Sequence, residues 1–459
     1  MENKKLAEFL SYVKNKKTTV IGIGISNLPL IKYLCENGAK VTACDKRDEK
    51  QLGNTCLELK NMGVELNLGE DYLKNIDGEI IFKTPGMRYD VKELLEAVKK
   101  GAKLTSEMEV FFDVCPCKII AVTGSDGKTT TTTLISKILE QYGYKTWLGG
   151  NIGNPLLTST KDMKKDDIVV LELSSFQLHT MKKSPHIAVM TNITPNHLDM
   201  HKSYEEYIDA KKNIMKYQNP DDLLIVNSGN EKTFEIAKES NARVLGFSSK
   251  EEQDIYIKDN FICYREKKVL DIGKIKLLGA HNVENYMAAI GAIYEMVDEK
   301  AILKVAQSFG GVEHRIELVR EFEGVKYYNS SIDSSPNRTI NTLGVFDKKV
   351  IMIAGGKDKG ISYDEIGLTI LDNVKVLILI GATADAIYDA TIKESQKRNT
   401  TTLPKIIRVK TYDEAVSKAR ENAKPKDVVL LSPASTSFDM FKNFEERGKL
   451  FKSLVNELK

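Results

Sequence analysis

A chain of 459 residues is longer than one ordinary core sustains and predicts roughly two to four domains. Its 42% hydrophobic and 29% charged residues are those of a soluble globular protein, which excludes a disordered or fibrous chain. A formal net charge of +3 is too small for a nucleic-acid surface, and no basic run is interleaved with aromatics, so anionic ligands must be met by local clusters.

The longest apolar runs, such as Val376-Leu377-Ile378-Leu379-Ile380, have strand length, and the opening MENKKLAEFL has no apolar signal core. The expectation is a cytoplasmic protein without a membrane span. Cys35, Cys44, Cys56, Cys115, Cys117 and Cys263 lack zinc spacing, and even the close pair Cys115 and Cys117 reads as reduced structural thiols.

Strand and helix alternate from the start: strand Thr18 to Gly24, helix Leu28 to Asn37, strand Lys40 to Asp45, strand Glu79 to Lys83, helix Val91 to Lys100. This predicts a parallel α/β unit. The turn GIGIS, Gly22 to Ser26, resembles a dinucleotide fingerprint with Asp45 about twenty residues on, where a ribose-binding acid would sit. The third glycine is missing, with Leu28 and Pro29 in that region. A nicotinamide and a nucleotide-sugar are both open readings of that turn.

A second α/β unit starts near Ser106. Its apolar run Cys117 to Val122 leads into AVTGSDGKTTTT, Ala121 to Thr132, and then into the helical spacing of Leu134 to Leu139. Strand, tight loop and helix N-terminus form a phosphate cradle: Gly124 and Gly127 allow close backbone approach, Lys128 meets terminal phosphates, and the Thr129 or Thr130 hydroxyl meets Mg2+. Val122 stands where the first glycine of the usual pattern belongs, and the loop alone says only nucleoside triphosphate.

Strands are expected at Ile168 to Leu173, Ile187 to Asn192 and Leu223 to Val226, with short ones across Ile255 to Tyr264 and a helix from Asn282 to Val297. Glu172, ending a core strand in VLELSSFQL, is placed to bind Mg2+ or orient its water. In TNITPNHLDMH, His197, Asp199 and His201 crowd one loop, where zinc, a second Mg2+ or a phosphate are open readings. Lys211 and Lys212 read by themselves as a solvated helix face. The third unit, from Gly311, has strands at Val325 to Asn329, Val350 to Ala354, Val376 to Ile380, Lys405 to Val409 and Val428 to Leu431.

Together TGSDGKTTTT, GGNIGNP, VLELSSFQL, TNITPNHLDMH, GAHNVENYMAAI, VEHRIE and LLSPASTSFDMFKNFEERG resemble the ATP-dependent Mur ligases, in the family's order along the chain. The last motif is most similar to the D-glutamate-adding branch. The resemblance implies three α/β domains: a Rossmann-like UDP-binding domain over 1–105, a central P-loop ATPase-type domain over 106–310, and a Rossmann-like domain over 311–459 that binds D-glutamate and contributes to the ATP site. It also implies an ADP-forming amide ligase of peptidoglycan synthesis, and through the cell wall a part in cell shape and division. ATP would phosphorylate the lactoyl-L-alanine carboxylate of UDP-N-acetylmuramoyl-L-alanine, and the D-glutamate amine would displace the phosphate. A monomer that binds neither nucleic acid nor membrane is expected.

By the same resemblance, Gly124, Ser125, Asp126, Gly127, Lys128, Thr129 and Thr130 hold the ATP phosphates, and Asn282 and Arg315 contact the nucleotide. Glu172 and a loop threonine serve one Mg2+ and His197 a second, while Lys211 matches the lysine that the family carbamylates. Ser26, Asn27, Asp45, Lys46, Arg47 and Gly86 fall where the family holds UDP, and Asn151 near the muramoyl end. Lys359, Ser437 and Phe444 match the D-glutamate pocket, with Ser334 a further candidate. In NSSIDSSPNR, Asn329 to Arg338, Ser330 replaces the family's nucleotide-contacting Asp and Ile332 its Lys; a turn after Asn329 would let Asp333 take over that contact. A folylpolyglutamate synthase, a non-ligating P-loop protein and a dehydrogenase are the rival readings.

Overall fold

The structure is a computed structural model that describes residues 3–24, 26–74, 76–195, 200–358 and 360–459. It contains three sheets. The first holds β1 (Lys17–Ile21), β2 (Lys40–Asp45), β3 (Glu65–Leu68), β4 (Ile80–Phe82) and β5 (Lys103–Thr105), all parallel, in the order β3-β2-β1-β4-β5. Strand order reverses between β1 and β4, so the loops leaving these two strands open a crevice, the usual ligand position in such sheets.

The second sheet comprises β6 (Lys118–Thr123), β7 (Thr146–Gly150), β8 (Ile168–Glu172), β9 (Ile187–Met190), β10 (Leu223–Asn227), β11 (Arg243–Ser248), β12 (Ile255–Lys258), β13 (Phe261–Tyr264) and β14 (Lys267–Asp271). Their order is β14-β13-β12-β11-β10-β9-β6-β8-β7. Pairing is parallel from β7 to β12, and β12, β13 and β14 form an antiparallel meander. The central strands β6, β8 and β9 are buried on both faces, which explains their unbroken apolar runs. The loops after β6, β8 and β9 therefore emerge side by side.

The third sheet runs β15-β16-β20-β17-β18-β19, with β15 (Glu317–Phe322), β16 (Val325–Asn329), β17 (Val350–Ala354), β18 (Val374–Leu379), β19 (Lys405–Arg408) and β20 (Val428–Leu431). Val350, Met352 and Ala354 face one core, and Ile351 and Ile353 the other, as the two-residue period of a strand requires. Only β15 is antiparallel to its neighbour among these strands.

By contacts the chain forms two compact units: Met1–Lys274 with His281–Val305, and Ile275–Ala280 with Ala306–Lys459. The first unit holds the first two sheets around a shared core, in which Leu30 and Leu34 join Leu156 and Leu157. Among the described residues no helix is long and apolar enough to cross a membrane, and all six cysteines are free thiols.

Two elements end three residues or more from where the sequence predicts. The helix expected from Asn282 to Val297 spans Ala280–Ile293, and the strand expected to reach Gly24 stops at Ile21, where the backbone turns toward the GIGIS loop. Edge strand β15 was not expected, because its residues are half-exposed on both faces and carry no apolar alternation.

Candidate functional site

β6 ends at Thr123, and the helix Lys128–Tyr142 begins five residues later. Gly124 and Gly127 both have positive φ, at 152° and 78°. A Cβ at Gly124 would run into Thr191 Oγ1, and one at Gly127 into Asn285 Oδ1, so only glycine fits either place. The helix N-cap, Gly127, provides no side-chain acceptor, and the first-turn amides remain directed at the loop, an anion-binding arrangement.

The threonine run divides by function. Thr131 Oγ1 donates to Asn285, and the Thr132 and Thr133 hydroxyls donate to the carbonyls of Lys128 and Thr129. Thr129 and Thr130 are half-exposed and make no side-chain hydrogen bond among the described residues. Ser125 is tied by its hydroxyl to Tyr207 and Thr194, and the Asp126 amide donates to Asn192 Oδ1.

Two lysines converge on this loop. Lys128 Nζ donates to the carbonyls of Gly124 and Ser125 at 3.0 and 2.9 Å. Lys211, from the helix Tyr204–Lys212, is only 2% exposed; its Nζ donates to the Gly124 carbonyl at 2.7 Å and lies 4.7 Å from the Tyr207 ring centroid. The solvated-face reading of Lys211 is thereby corrected, while Lys212 keeps it, half-exposed and paired with Glu239. Burial, reinforced by the charge of Lys128, holds the Lys211 ammonium well below its ordinary pKa, against the opposing pull of Glu172 and Asp126.

Glu172, 2% exposed at the end of β8, accepts a hydrogen bond from Asn151 Nδ2 at 2.8 Å through Oε1. Its Oε2 is buried without a hydrogen-bond partner. An orphaned carboxylate oxygen in the interior is costly unless a cation or donor meets it, and a carboxylate oxygen is a hard donor of the kind that Mg2+ takes. His197, expected beside it, lies outside the described residues, as does Asp199. His201 is buried, with Nε2 against Ser175 Oγ at 2.9 Å.

A cleft beside the loop is lined by Asp126, Gly127, Thr191, Asn192, Phe247, His281, Glu284 and Asn285. Asn285 lines the cleft, and the expected Asn282, half-exposed one helical turn before it, accepts from Asn285 Nδ2 at 3.0 Å. The roles of Asn285, Thr191 and Asn192 were not anticipated. The i,i+3 spacing of the two asparagines on a helix was the available signal.

In the first sheet's crevice, Asp45 at the end of β2 accepts from the Ile23 amide at 2.7 Å and from Arg47 Nε at 2.9 Å, while Arg47 Nη2 donates to the Ile23 carbonyl. Burial alone would raise the Asp45 pKa, but the Arg47 and Ile23 hydrogen bonds outweigh it and hold the carboxyl at about 2. Asn27 is buried, with Nδ2 donating to the Ile21 carbonyl. Ser26, Lys46 and Gly86 are exposed along the same rim, and a Cβ at Gly86 would meet open space.

In the second unit, the loops after β16, β17 and β20 come together. Lys357 and Thr436 exchange hydrogen bonds, and Arg447, 1% exposed, donates to Ser331 Oγ and to the Ser331 and Ser435 carbonyls. Phe444 accepts from Ser331 Oγ through its carbonyl and packs edge-on to His314, Ser437 is buried, and Ser334 Oγ donates to the Ile332 carbonyl. Arg315 is exposed in the same unit, and Lys359 lies outside the described residues. Asp333 does follow a turn, its amide donating to the Ser330 carbonyl, and its carboxylate is turned inward onto Ser432 Oγ at 2.7 Å. Burial raises its pKa. The sequence reading of that motif stops at Ser437 and Phe444 and passes over the keystone Arg447.

Comparison with known proteins adds the family. The profiles described as "Mur ligase MurD-like, N-terminal domain", "Mur ligase middle domain" and "Mur ligase, glutamate ligase domain" match residues 16–106, 122–293 and 314–435. The chain is similar to the protein named "UDP-N-acetylmuramoylalanine--D-glutamate ligase" of Ruminiclostridium cellulolyticum, 55% identical over 464 residues with 100% of each chain covered. The protein of that name from Acetivibrio thermocellus is 53% identical over 463 residues, covering 99% of each. Among solved structures, the ligase MurC of Thermotoga maritima aligns at a TM-score of 0.60 and 18% identity, covering 97% of this chain and 100% of that one. MurF ligase from the same organism, in complex with ADP, aligns at 0.55 and 18%, covering 98% and 97%. These two show the fold; the profiles and the full-length relatives show that the chain belongs to the Mur ligase family, among the UDP-N-acetylmuramoylalanine--D-glutamate ligases.

Proposed function

We infer that this enzyme joins D-glutamate to UDP-N-acetylmuramoyl-L-alanine with formation of ADP and phosphate, supplying a peptidoglycan precursor. The observation that carries the reading is the phosphate loop flanked by buried Glu172 and Lys211, in a chain 55% identical end to end to a relative of that name. We further propose that it works as a cytoplasmic monomer of three domains, 1–105, 106–310 and 311–459.

A carboxylate oxygen is a poor leaving group, so an amine cannot displace it at neutral pH, whereas phosphate leaves readily from an acyl phosphate. The protein's task is to bring anions together and offset their charge. Gly124 to Thr130 surround the ATP phosphates, with Lys128 released from its loop carbonyls to follow the terminal one. Asn285 and Asn282, with the cleft of Phe247 and His281, hold the nucleoside. Asp45 and Arg47 shape the crevice for the uridine diphosphate, Ser26, Asn27, Lys46 and Gly86 line it, and Asn151 reaches toward the muramoyl end.

Glu172, Thr129, Thr130 and His197 are the residues that would hold two Mg2+ ions. When bound, Mg2+ neutralises phosphate oxygens and anchors them against the loop. Lys211 is suited to carbamylation because a carbamate forms from the neutral amine, the form that its burial favours. Ser437, Phe444, Ser334 and Lys359 are assigned to D-glutamate, and Arg315 and Asp333 to the nucleotide.

The test is phosphate release with UDP-N-acetylmuramoyl-L-alanine and a panel of D- and L-amino acids. Release that requires D-glutamate supports the reading. Release with no amino acid, or only with a pterin substrate and L-glutamate, overturns it.

A further inference from the structure

A dense charged cluster joins the loop that leaves β4 to the segment entering the helix Tyr204–Lys212. Arg88 spends all five of its N–H donors there. Nη1 donates to Glu206 Oε2 and to the Met200 carbonyl, both at 2.9 Å; Nη2 donates to Glu206 Oε1 at 2.7 Å and Asp90 Oδ2 at 3.0 Å; Nε donates to Asp90 Oδ1 at 2.8 Å. Lys202 closes the ring, with its amide on Glu206 and its ammonium on Asp90. The side chains of Arg88 and Glu206 are 23% and 20% exposed, well shielded from solvent screening compared with an ordinary surface pair.

His179, His201 and Glu206 also bring three ligand atoms within 4.8 Å of one another, a spacing that a metal ion could use. Both Glu206 oxygens, however, are already held in a bidentate fork by a guanidinium. Arg88 is the cation of this cluster, and a metal would have to expel it.

The placement of the two partners gives the cluster its meaning. Arg88 lies two residues beyond Gly86, on the rim of the first sheet's crevice. Glu206 lies in the first turn of the helix whose last turn carries Lys211, roughly 7.5 Å further along at about 1.5 Å per residue. We propose that Arg88 is a positioning residue, whose fork on Glu206 and Asp90 fixes the loop edging the nucleotide-sugar site to the Lys211 helix and so sets the acceptor carboxylate's reach to the phosphate loop. This rests on the ligase reading above.

Three measurements on wild type, Arg88→Gln, Arg88→Lys and Glu206→Gln test it. Hydrogen exchange without substrates should speed up in residues 84–91 and 200–212 together in Arg88→Gln. Calorimetric affinities for UDP-N-acetylmuramoyl-L-alanine and for ATP should each stay within about twofold, while single-turnover acyl phosphate, trapped with hydroxylamine, should fall about ten- to fiftyfold, the scale of a small misplacement of reacting groups. Glu206→Gln should match that loss, the Arg88→Gln/Glu206→Gln double variant should add little to it, and Arg88→Lys, with three donors in place of five, should fall between. Unchanged exchange, unchanged acyl-phosphate yield, or nucleotide-sugar affinity falling in step with the yield would overturn the proposal. A wild-type enzyme that forms no acyl phosphate would refute the ligase reading instead, with the exchange arm still deciding whether Arg88 couples the two segments.

Discussion

Lys211 and Lys128 donate to one carbonyl oxygen, that of Gly124, at 2.7 and 3.0 Å. Two ammonium groups so close, one of them buried, cannot both keep full charge cheaply, because an unpaired buried ion costs several kcal/mol. Lys211 is the one that gives way, its pKa lowered by burial first and by Lys128 second. A neutral amine, the form that this shift favours, is the chemical precondition for a carbamate.

Lys211→Ala should therefore abolish ligation, and short carboxylic acids such as acetate or formate should restore part of it by supplying the missing anion. In 13C-bicarbonate, wild type should show a carbamate resonance that Lys211→Ala lacks. A fully active Lys211→Ala enzyme would remove the lysine from the mechanism.

Lys128→Ala and Glu172→Ala should each lower ligation by at least about a hundredfold, the usual scale for losing a preorganised charge-stabilising group. Nucleotide-sugar affinity should change little, since Glu172 ends β8 and Lys128 begins the helix after β6, both at the second sheet and not the first. Calorimetric titration of UDP-N-acetylmuramoyl-L-alanine checks the separation; loss of that binding with ATP turnover retained would contradict it.

Asp45→Asn should weaken nucleotide-sugar binding and destabilise the fold at neutral pH by about 1.5–3 kcal/mol, the range for hydrogen bonds to a charged group. The wild-type carboxyl titrates at about 2 when folded, below its unfolded value of about 3.9. The unfolded chain thus binds the extra proton between these values, and the carboxylate's contribution, complete above the unfolded pKa, disappears as pH falls through the folded one. Thermal melts of the two proteins should converge between about pH 4 and pH 2; a gap that persists at low pH would assign the loss to something other than this charge.

Asp333→Ala is proposed to raise the KM for ATP about ten- to a hundredfold, with smaller changes for the other substrates. Its inward bond to Ser432 supplies a second expected effect, a lower melting temperature. Unchanged ATP kinetics with a lowered Tm would make Asp333 a tie within its own unit and nothing more.

Much of this was legible along the chain because local chemistry decided it. β2, β16, β17 and β20 lie where their apolar runs predict, and the glycines of the phosphate loop stand where positive φ is needed. Less legible was everything that depends on what another segment brings. Lys211 looks like any helix lysine until the Gly124 carbonyl and Tyr207 enclose it. Arg447 and Arg88 are ordinary arginines in sequence, and only the return of distant loops spends their donors. β15 escaped notice because an edge strand with both faces half-wet shows no alternation.

The central claim, that ATP activates a carboxylate for amide formation, is tested most directly by oxygen transfer. UDP-N-acetylmuramoyl-L-alanine labelled with 18O in its alanine carboxylate is turned over with ATP and D-glutamate, and the released phosphate is analysed by mass. An acyl-phosphate route places one labelled oxygen in each phosphate formed. Phosphate free of label, formed while the amide product accumulates, would contradict the account.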